Sequence, residues 1–454
     1  MMKNTIARIA LAGAVAVLAS APAAWALTPI EHWTQPGGAQ VYLVQSHSLP
    51  MVDVQIDFDA GGRRDPADKA GLASVAASMA SRGIRASVDA PALDENALGE
   101  AWADLGASFG ASAGRDRMEF SLRSLTYPDL LPRVIALAAR QLGGPVFPAD
   151  VWQREREQLV AALAESDTRP ATVAAKAFAA AVYGDHPYGY RMRADTLAQI
   201  TVDDMRNLYA QAVRACRAKV SIVGDVSRAQ AEALVSGLFA RLDAGGGAAA
   251  CRPLPPVPEV APLTQPSGLQ AIAFDSAQAH VLIGQPGIRR SDPDYFALTV
   301  GNYVLGGGGF VSRLYSEVRE KRGLSYSVYS YFAPGLHAGA FTVGLQTRPD
   351  QAAQAVAVSR ETVARFVQDG PSEQELQAAK SNLIGGFALR LDSNRKLLDN
   401  VANIAWNELP LDYLETWTAA IAQLTVADVK AAFARALQPQ MMVTVVVGAR
   451  DKAP

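Results

Sequence analysis

Three phrases of this chain occur twice at nearly one spacing, so its fold has to accommodate two copies of a single unit. Gly61-Gly62-Arg63-Arg64-Asp65-Pro66 returns, slightly altered, as Gly287-Ile288-Arg289-Arg290-Ser291-Asp292-Pro293. Ile200-Thr201-Val202-Asp203-Asp204-Met205 returns as Leu424-Thr425-Val426-Ala427-Asp428-Val429, and Val220–Gly224 returns as Thr444–Gly448 at the identical offset. An alternating run precedes the first phrase each time, Val52–Phe58 and then Ala279–Gly284, which is the period of a strand. The chain is a duplication.

Each copy opens on alternating strands, continues through alanine-rich segments of helical period, and closes on a strand. Arg154–Ala164 and Pro371–Leu391 are helices at corresponding places. Strands bracketing helices in this way predict an α+β fold. Each half is a largely antiparallel sheet with helices packed on one face, and the halves form a clamshell. The halves span residues 27–243 and 269–454. Between them, 244–268 reads as a linker, with Ala244-Gly245-Gly246-Gly247 followed by Pro253, Pro255, Pro256 and Pro258, flexible first and then extended.

Residues 1–26 have the order of a signal peptide: Lys3 and Arg8, then apolar Ile9–Ala19, then Ala24-Trp25-Ala26 as a cleavage site. A periplasmic or secreted mature chain beginning near Leu27 is expected, without a lipid anchor, since no cysteine follows the leader. No apolar run approaches the ~20 residues a membrane span needs. The net charge of −2 comes without a basic stripe, which argues against a nucleic-acid partner. Cys216 and Cys251 are the two cysteines. Either they close a loop of about 35 residues or they stay unpaired thiols.

Catalytic side chains are hard to find. The five histidines, His32, His47, His186, His280 and His337, are so widely scattered that no helix carries two at i, i+4. A hydrolytic zinc centre needs about three protein ligands and an open position. No metal site and no catalytic residue is assigned to this chain. Gly106–Gly110 and Gly110–Gly114 both match G-x-S-x-G, yet a nucleophile elbow needs a strand before and a helix after. Here the order is helix-like Leu93–Leu105, then strand-like Met118–Leu122. Gly306–Gly309 lacks the Gly-Lys-Ser/Thr of a phosphate loop and reads as a flexible turn before a helix.

The repeat, leader, linker and several phrases together resemble the pitrilysin/insulinase-type metallopeptidases (inverzincins), in their short two-domain form. In that family a helix after the Gly-x-x-x-Asp-Pro-like turn carries H-x-x-E-H; here Ala70–Gly83 occupies its place, with Ser74, Ala77 and Ser78 where the ligands and the glutamate would stand. Ala162, on the Arg154–Leu163 helix, falls where a third ligand would be. Asp185-His186-Pro187-Tyr188-Gly189-Tyr190 matches a loop phrase of the family and is read as a structural turn. Ser112–Leu122 lies near the family's strand-addition edge, though Gly106, Gly110 and Gly114 depart from its asparagine-rich pattern.

The second half keeps more. Gly308–Val328 resembles the family's C-domain signature, in which an arginine and a tyrosine seven residues apart grip substrate; Arg319 and Tyr326 take those places. A guanidinium and a phenol suit a peptide carbonyl. The plain alternative is a solvated helix on which Arg319 pairs with Glu317 or Glu320. The resemblance implies the non-catalytic subunit of a periplasmic zinc metallopeptidase heterodimer. The zinc would sit on a sister subunit carrying H-x-x-E-H, with a peptide held between the two. A scaffold of the same fold with no role in proteolysis is the other reading, and a homodimer stays open.

Overall fold

The computed structural model describes residues 29–242, 251–266 and 268–449. The leader at 1–26 and the first part of the linker lie outside the described residues. Strands of the first half are β1 (Glu31–Thr34), β2 (Gln40–Gln45), β3 (Met51–Phe58), β4 (Gly83–Ile84), β5 (Leu93–Asp94), β6 (Ser108–Ala113), β7 (Met118–Leu125) and β8 (Lys219–Gly224). The second half has β9 (Leu269–Ala273), β10 (Ala279–Pro286), β11 (Val328–Phe332), β12 (Ala340–Thr347) and β13 (Val443–Ala449). Apart from the small β4–β5 ladder, they form sheets of order β1-β2-β8-β3-β7-β6 and β11-β12-β10-β13-β9. Read from β9, the second sheet repeats β2-β8-β3-β7-β6 strand for strand. Each has one parallel pair, β2 with β8 and β9 with β13, among antiparallel neighbours.

Helices of the first half are α1 (Leu72–Met79), α2 (Glu95–Asp104), α3 (Leu131–Gly143), α4 (Ala149–Ser166), α5 (Pro170–Tyr183), α6 (Ala194–Gln199), α7 (Val202–Ala212) and α8 (Arg228–Phe239). The second half carries α9 (Tyr295–Asn302), α10 (Ala352–Asp369), α11 (Glu373–Gly385), α12 (Asn394–Trp406), α13 (Tyr413–Gln423) and α14 (Val426–Ala436). The helix read at 154–164 is the middle of α4, and the one read at 371–391 stops at Gly385 as α11. The repeated Thr-x-x-Asp phrase turns out to be a repeated helix start. Thr201 and Asp204 open α7 by exchanging backbone hydrogen bonds at 2.9 and 3.1 Å, and Thr425 and Asp428 open α14 in the same way at 2.9 and 3.2 Å.

Most helices of each half pack on one face of their own sheet. The opposite face is covered by a helix from the other half. α5 leaves the first half and lays Ala174, Phe178, Val182 and Tyr183 on Val443, Val445 and Val447 of β13. α12 leaves the second half and lays Leu398, Val401, Ile404 and Ala405 on Tyr42, Val44 and Val223. Their starts, Pro170 and Asn394, stand at the same offset as Thr201 and Thr425, so the exchanged element is the same piece of the repeat. Each buried Leu, Ile, Val or Phe here contributes about 1.5–3 kcal/mol of transfer energy.

On one side of β3, Val52, Val54, Ile56 and Phe58 are inaccessible and face the core. The polar side is buried too, beneath α12. Asp53 meets Arg123 at 2.6 Å, and Asp57 accepts from the Gln55 amide at 2.9 Å and from Arg117 at 3.1 Å. Arg117 in turn sits 5.7 Å from the Trp406 ring of α12. Burial pushes the Asp57 carboxyl up to about 7, against the pull of Arg117 and Gln55. Cys216 and Cys251 are joined as a disulfide with Cα atoms 6.2 Å apart, so the thiols are paired. The adjoining stretch is held at Arg252 by Arg217 (2.6 Å) and at Pro255 by Arg64 (2.8 Å).

Ile404→Ala should cost about 2–5 kcal/mol in urea unfolding. It should also raise amide exchange in β2 and β8, although residue 404 belongs to the second half; exchange changes confined to that half would contradict the packing. A further expectation concerns pH. An unfolded aspartate ionises near 4 whereas Asp57 holds its proton to about 7. Its contribution to stability therefore falls as pH rises through that window and is constant above it. Asp57→Asn should match wild type near pH 4 and gain on it by pH 8, read as the difference in urea midpoints.

Candidate functional site

The segment carrying the second-half signature is an irregular helix, widened twice. Gly308 N bonds Tyr303 O at 2.8 Å and Lys321 N bonds Ser316 O at 3.0 Å, both i→i+5 turns of the kind found at functional positions. Between them Gly309, at φ 61°, reverses the chain where a side chain would be strained. The glycine run is thus a packed turn. A Cβ at Gly306 would stand 2.6 Å from Ser330 N, because the widened turn that follows α9 lies hard against the edge strand β11. Asn302 closes that edge, donating to Ser330 O at 3.0 Å and accepting from Ser330 Oγ at 2.7 Å.

Arg319 rides on the second widened turn. Its guanidinium carbon lies 4.4 Å from the Tyr326 ring centroid, 4.8 Å from Tyr315 and 5.9 Å from Phe310. Such stacking holds a cation while leaving its N–H groups free to donate. Glu317 is engaged elsewhere, by Lys321 and Arg322 at 2.7 Å each. No carboxylate pairs with Arg319 among the described residues. Ser325 Oγ, bonded to Gln346 O at 2.6 Å, fixes the loop that presents Tyr326, which is 81% exposed. Tyr329 and Tyr331 stack beyond it at 6.0 Å, and burial pushes the Tyr329 hydroxyl above its ordinary range. Tyr326 forms a wall between two hollows: one of about 620 Å³ with Phe310, Tyr315 and Arg319, and one of about 520 Å³ with Phe178, His280, Tyr329 and Tyr331.

In the first half, Ser74 and Ser78 are exposed on α1, Ala77 is buried, and Ala162 is exposed on α4. None offers imidazole, thiolate or carboxylate, so these residues do not fit a zinc ion. Among the described residues no group of three His, Cys, Asp or Glu is placed to hold a metal. The helix itself is kept. Asp65 accepts from Gly71 N and Ala73 N at 2.9 Å each, and burial pushes its carboxyl up to about 7. Ser108 and Ser112, the serines of the two G-x-S-x-G matches, lie on the edge strand β6 with α2 before it and β7 after it, which is no elbow.

The Asp185–Tyr190 turn does more than the sequence suggested. His186 Nδ1 accepts from Tyr188 N at 3.0 Å. The Tyr188 hydroxyl donates to Asp116 at 2.5 Å and accepts from His337 N at 3.1 Å, and Asp116 also accepts from Leu336 N at 3.1 Å. The turn is a seam between the halves. Tyr188 and His337 stand in different copies of the repeat, and no local pattern signals their meeting.

Residues 40–196 match the insulinase family (peptidase family M16), and residues 199–383 match the peptidase M16 inactive domain. A Pseudomonas fluorescens structure of a peptidase M16 inactive domain superposes with TM-score 0.85 at 34% identity, covering 93% of this chain and 98% of that one. The chain belongs to peptidase family M16. Among M16 relatives, an uncharacterized zinc protease of Mycobacterium bovis is 28% identical over 90% of this chain and 91% of its own length. A Helicobacter pylori protein named a non-peptidase homolog is 25% identical over 85% and 86%. A periplasmic protease of Escherichia coli shares the fold, with TM-score 0.75 at 18% identity; this M16 chain covers 46% of it. The mixed α/β halves and their open sheets match this two-domain M16 architecture.

Gly306→Ala should force the widened turn after α9 and β11 apart at a cost of about 1–3 kcal/mol. It should also alter the tyrosine fluorescence of the Tyr326–Tyr329–Tyr331 face; an unchanged melting temperature would contradict the contact with Ser330.

Proposed function

We propose that this chain is the non-catalytic subunit of a periplasmic zinc metallopeptidase heterodimer. The partner subunit carries H-x-x-E-H and the zinc, and this chain binds and positions the peptide through Arg319 and Tyr326. The observation that carries the reading is an asymmetry of donors. The first half has Ser74, Ala77, Ser78 and Ala162 where ligands would stand on α1 and α4, whereas the second half presents an arginine with no carboxylate partner among the described residues, caged by three rings of which one is an exposed phenol. An unpaired guanidinium and a free hydroxyl have donors to spare for a peptide carbonyl or a developing oxyanion. The exported location rests on the leader sequence.

A scaffold role without peptide is the alternative, and the same experiment separates the two. The tagged mature chain is used to capture its partner from the native periplasm, and the pair is assayed on a peptide substrate. The chain alone should show no zinc-dependent cleavage. Arg319→Ala and Tyr326→Phe should each lower kcat/KM of the pair by at least about tenfold without dissociating it. Full activity in both variants, or recovery of no H-x-x-E-H partner, would remove the peptide-holding role.

A further inference from the structure

The 520 Å³ hollow has a cationic end that the Arg319–Tyr326 pair does not explain. Its walls are the alanines of α5 (Ala171, Ala174, Ala175) and the outer face of β10 and β12; Tyr326, Tyr329 and Tyr331 line it, and so do Arg115 and Arg191. Arg115 projects from the β6–β7 turn and stacks on Tyr188, with its guanidinium carbon 4.5 Å from the ring centroid. Arg191 follows the Asp185–Tyr190 turn and donates to the carbonyls of Tyr190 at 3.0 Å and Tyr188 at 3.3 Å. Both are half-buried. Burial and then the Arg115 charge hold Arg191 below its ordinary value, as expected of two neighbouring cations in a poorly hydrated place.

Neither guanidinium has a carboxylate partner among the described residues. The one in reach by sequence, Asp116, is committed to the Tyr188 hydroxyl, Leu336 N and Arg63, the last at 3.3 Å. His280, held below its ordinary value by burial, adds no charge at neutral pH. Two unneutralised cations facing one apolar hollow leave a deficit that an anion from outside would fill. The volume lies within the range of ligand sites.

We propose that Arg115 and Arg191 form a carboxylate subsite of this hollow, taking an acidic side chain or the terminal carboxylate of a peptide whose backbone passes Tyr326. The proposal rests on the peptide-holding reading and adds a preference to it. Tyr326, on the wall of both hollows, joins the subsite to Arg319. Apolar side chains beside the acid would lie against the α5 alanines and the tyrosines.

The test is calorimetric titration of the mature chain with one peptide sequence in three forms. The first is uncharged, with Gln and an amidated end; the second has Glu in place of Gln; the third has Gln with a free C-terminus. The Glu form or the free-end form should bind at least about tenfold tighter than the uncharged one, and whichever does names the source of the carboxylate. The advantage should shrink with added salt and vanish in Arg191→Gln and Arg115→Gln, while the uncharged form binds all three proteins alike. Should loss of the ring stacking unfold Arg115→Gln, the wild-type comparison and Arg191→Gln still decide. Equal binding of all three forms overturns the subsite and leaves the peptide reading intact. An advantage that survives both substitutions overturns the assignment to these arginines. Binding of none, with Arg319→Ala silent in the reconstituted pair, overturns both.

Discussion

Everything else in this molecule depends on two helices lying on sheets that are not their own. A sheet with helices on one side leaves its other side bare, and a bare side of valines and tyrosines is an aggregation surface. Here α5 covers Val443, Val445 and Val447, while α12 covers Tyr42, Val44 and Val223. The solution is symmetric because the repeat is symmetric. The two undersides are dressed differently, however. Beneath α5 the contact is mostly apolar, with the Tyr183 hydroxyl accepting from Ala340 N at 2.8 Å, whereas beneath α12 the strand β3 brings Asp53, Gln55 and Asp57 into the interior and has to satisfy them with Arg123 and Arg117.

The same exchange builds the cavities. α5 is a wall of the 520 Å³ tyrosine-lined hollow because it has crossed to the second sheet. Its flanking turn, with Tyr188 bonded to Asp116 and to His337 N, fastens the crossing. The first half, whose Ser74, Ala77, Ser78 and Ala162 offer a metal no ligand, therefore remains indispensable to the second-half site. It supplies a wall of that site and the two arginines at its far end.

Legibility followed locality. The repeat disclosed the two halves, the matching strands β3 and β10, and the paired starts of α7 and α14, since each is written in a short run of residues with its own cap or period. Strand order was not legible, since pairing of β2 with β8 joins residues almost the length of a half apart. The exchange of α5 and α12 was hidden as well: an amphipathic helix states that it has an apolar face, never which sheet will receive it. The alternation of Val52–Phe58 marked a strand, and nothing in it said that the aspartate side would be covered by a helix of the other half. Arg319 and Tyr326 were singled out through the phrase in which they stand. Their companions Phe310 and Tyr315 were not, because two widened turns shift the helical phase that spacing assumes. Arg115 and Arg191 left no trace in the sequence, being far apart along the chain on unrelated turns.

One consequence of the crossed helices concerns ancestry. A single half, made alone, would lack a cover for its sheet and would carry a loose helix fitted to that very surface. Two such halves would complete each other by trading that helix, making a domain-swapped homodimer with a two-fold axis through the seam. Joining the copies by a linker would turn that dimer into one chain. Once joined, the copies are free to diverge, so that one can shed side chains the other never needed, provided each still delivers its helix.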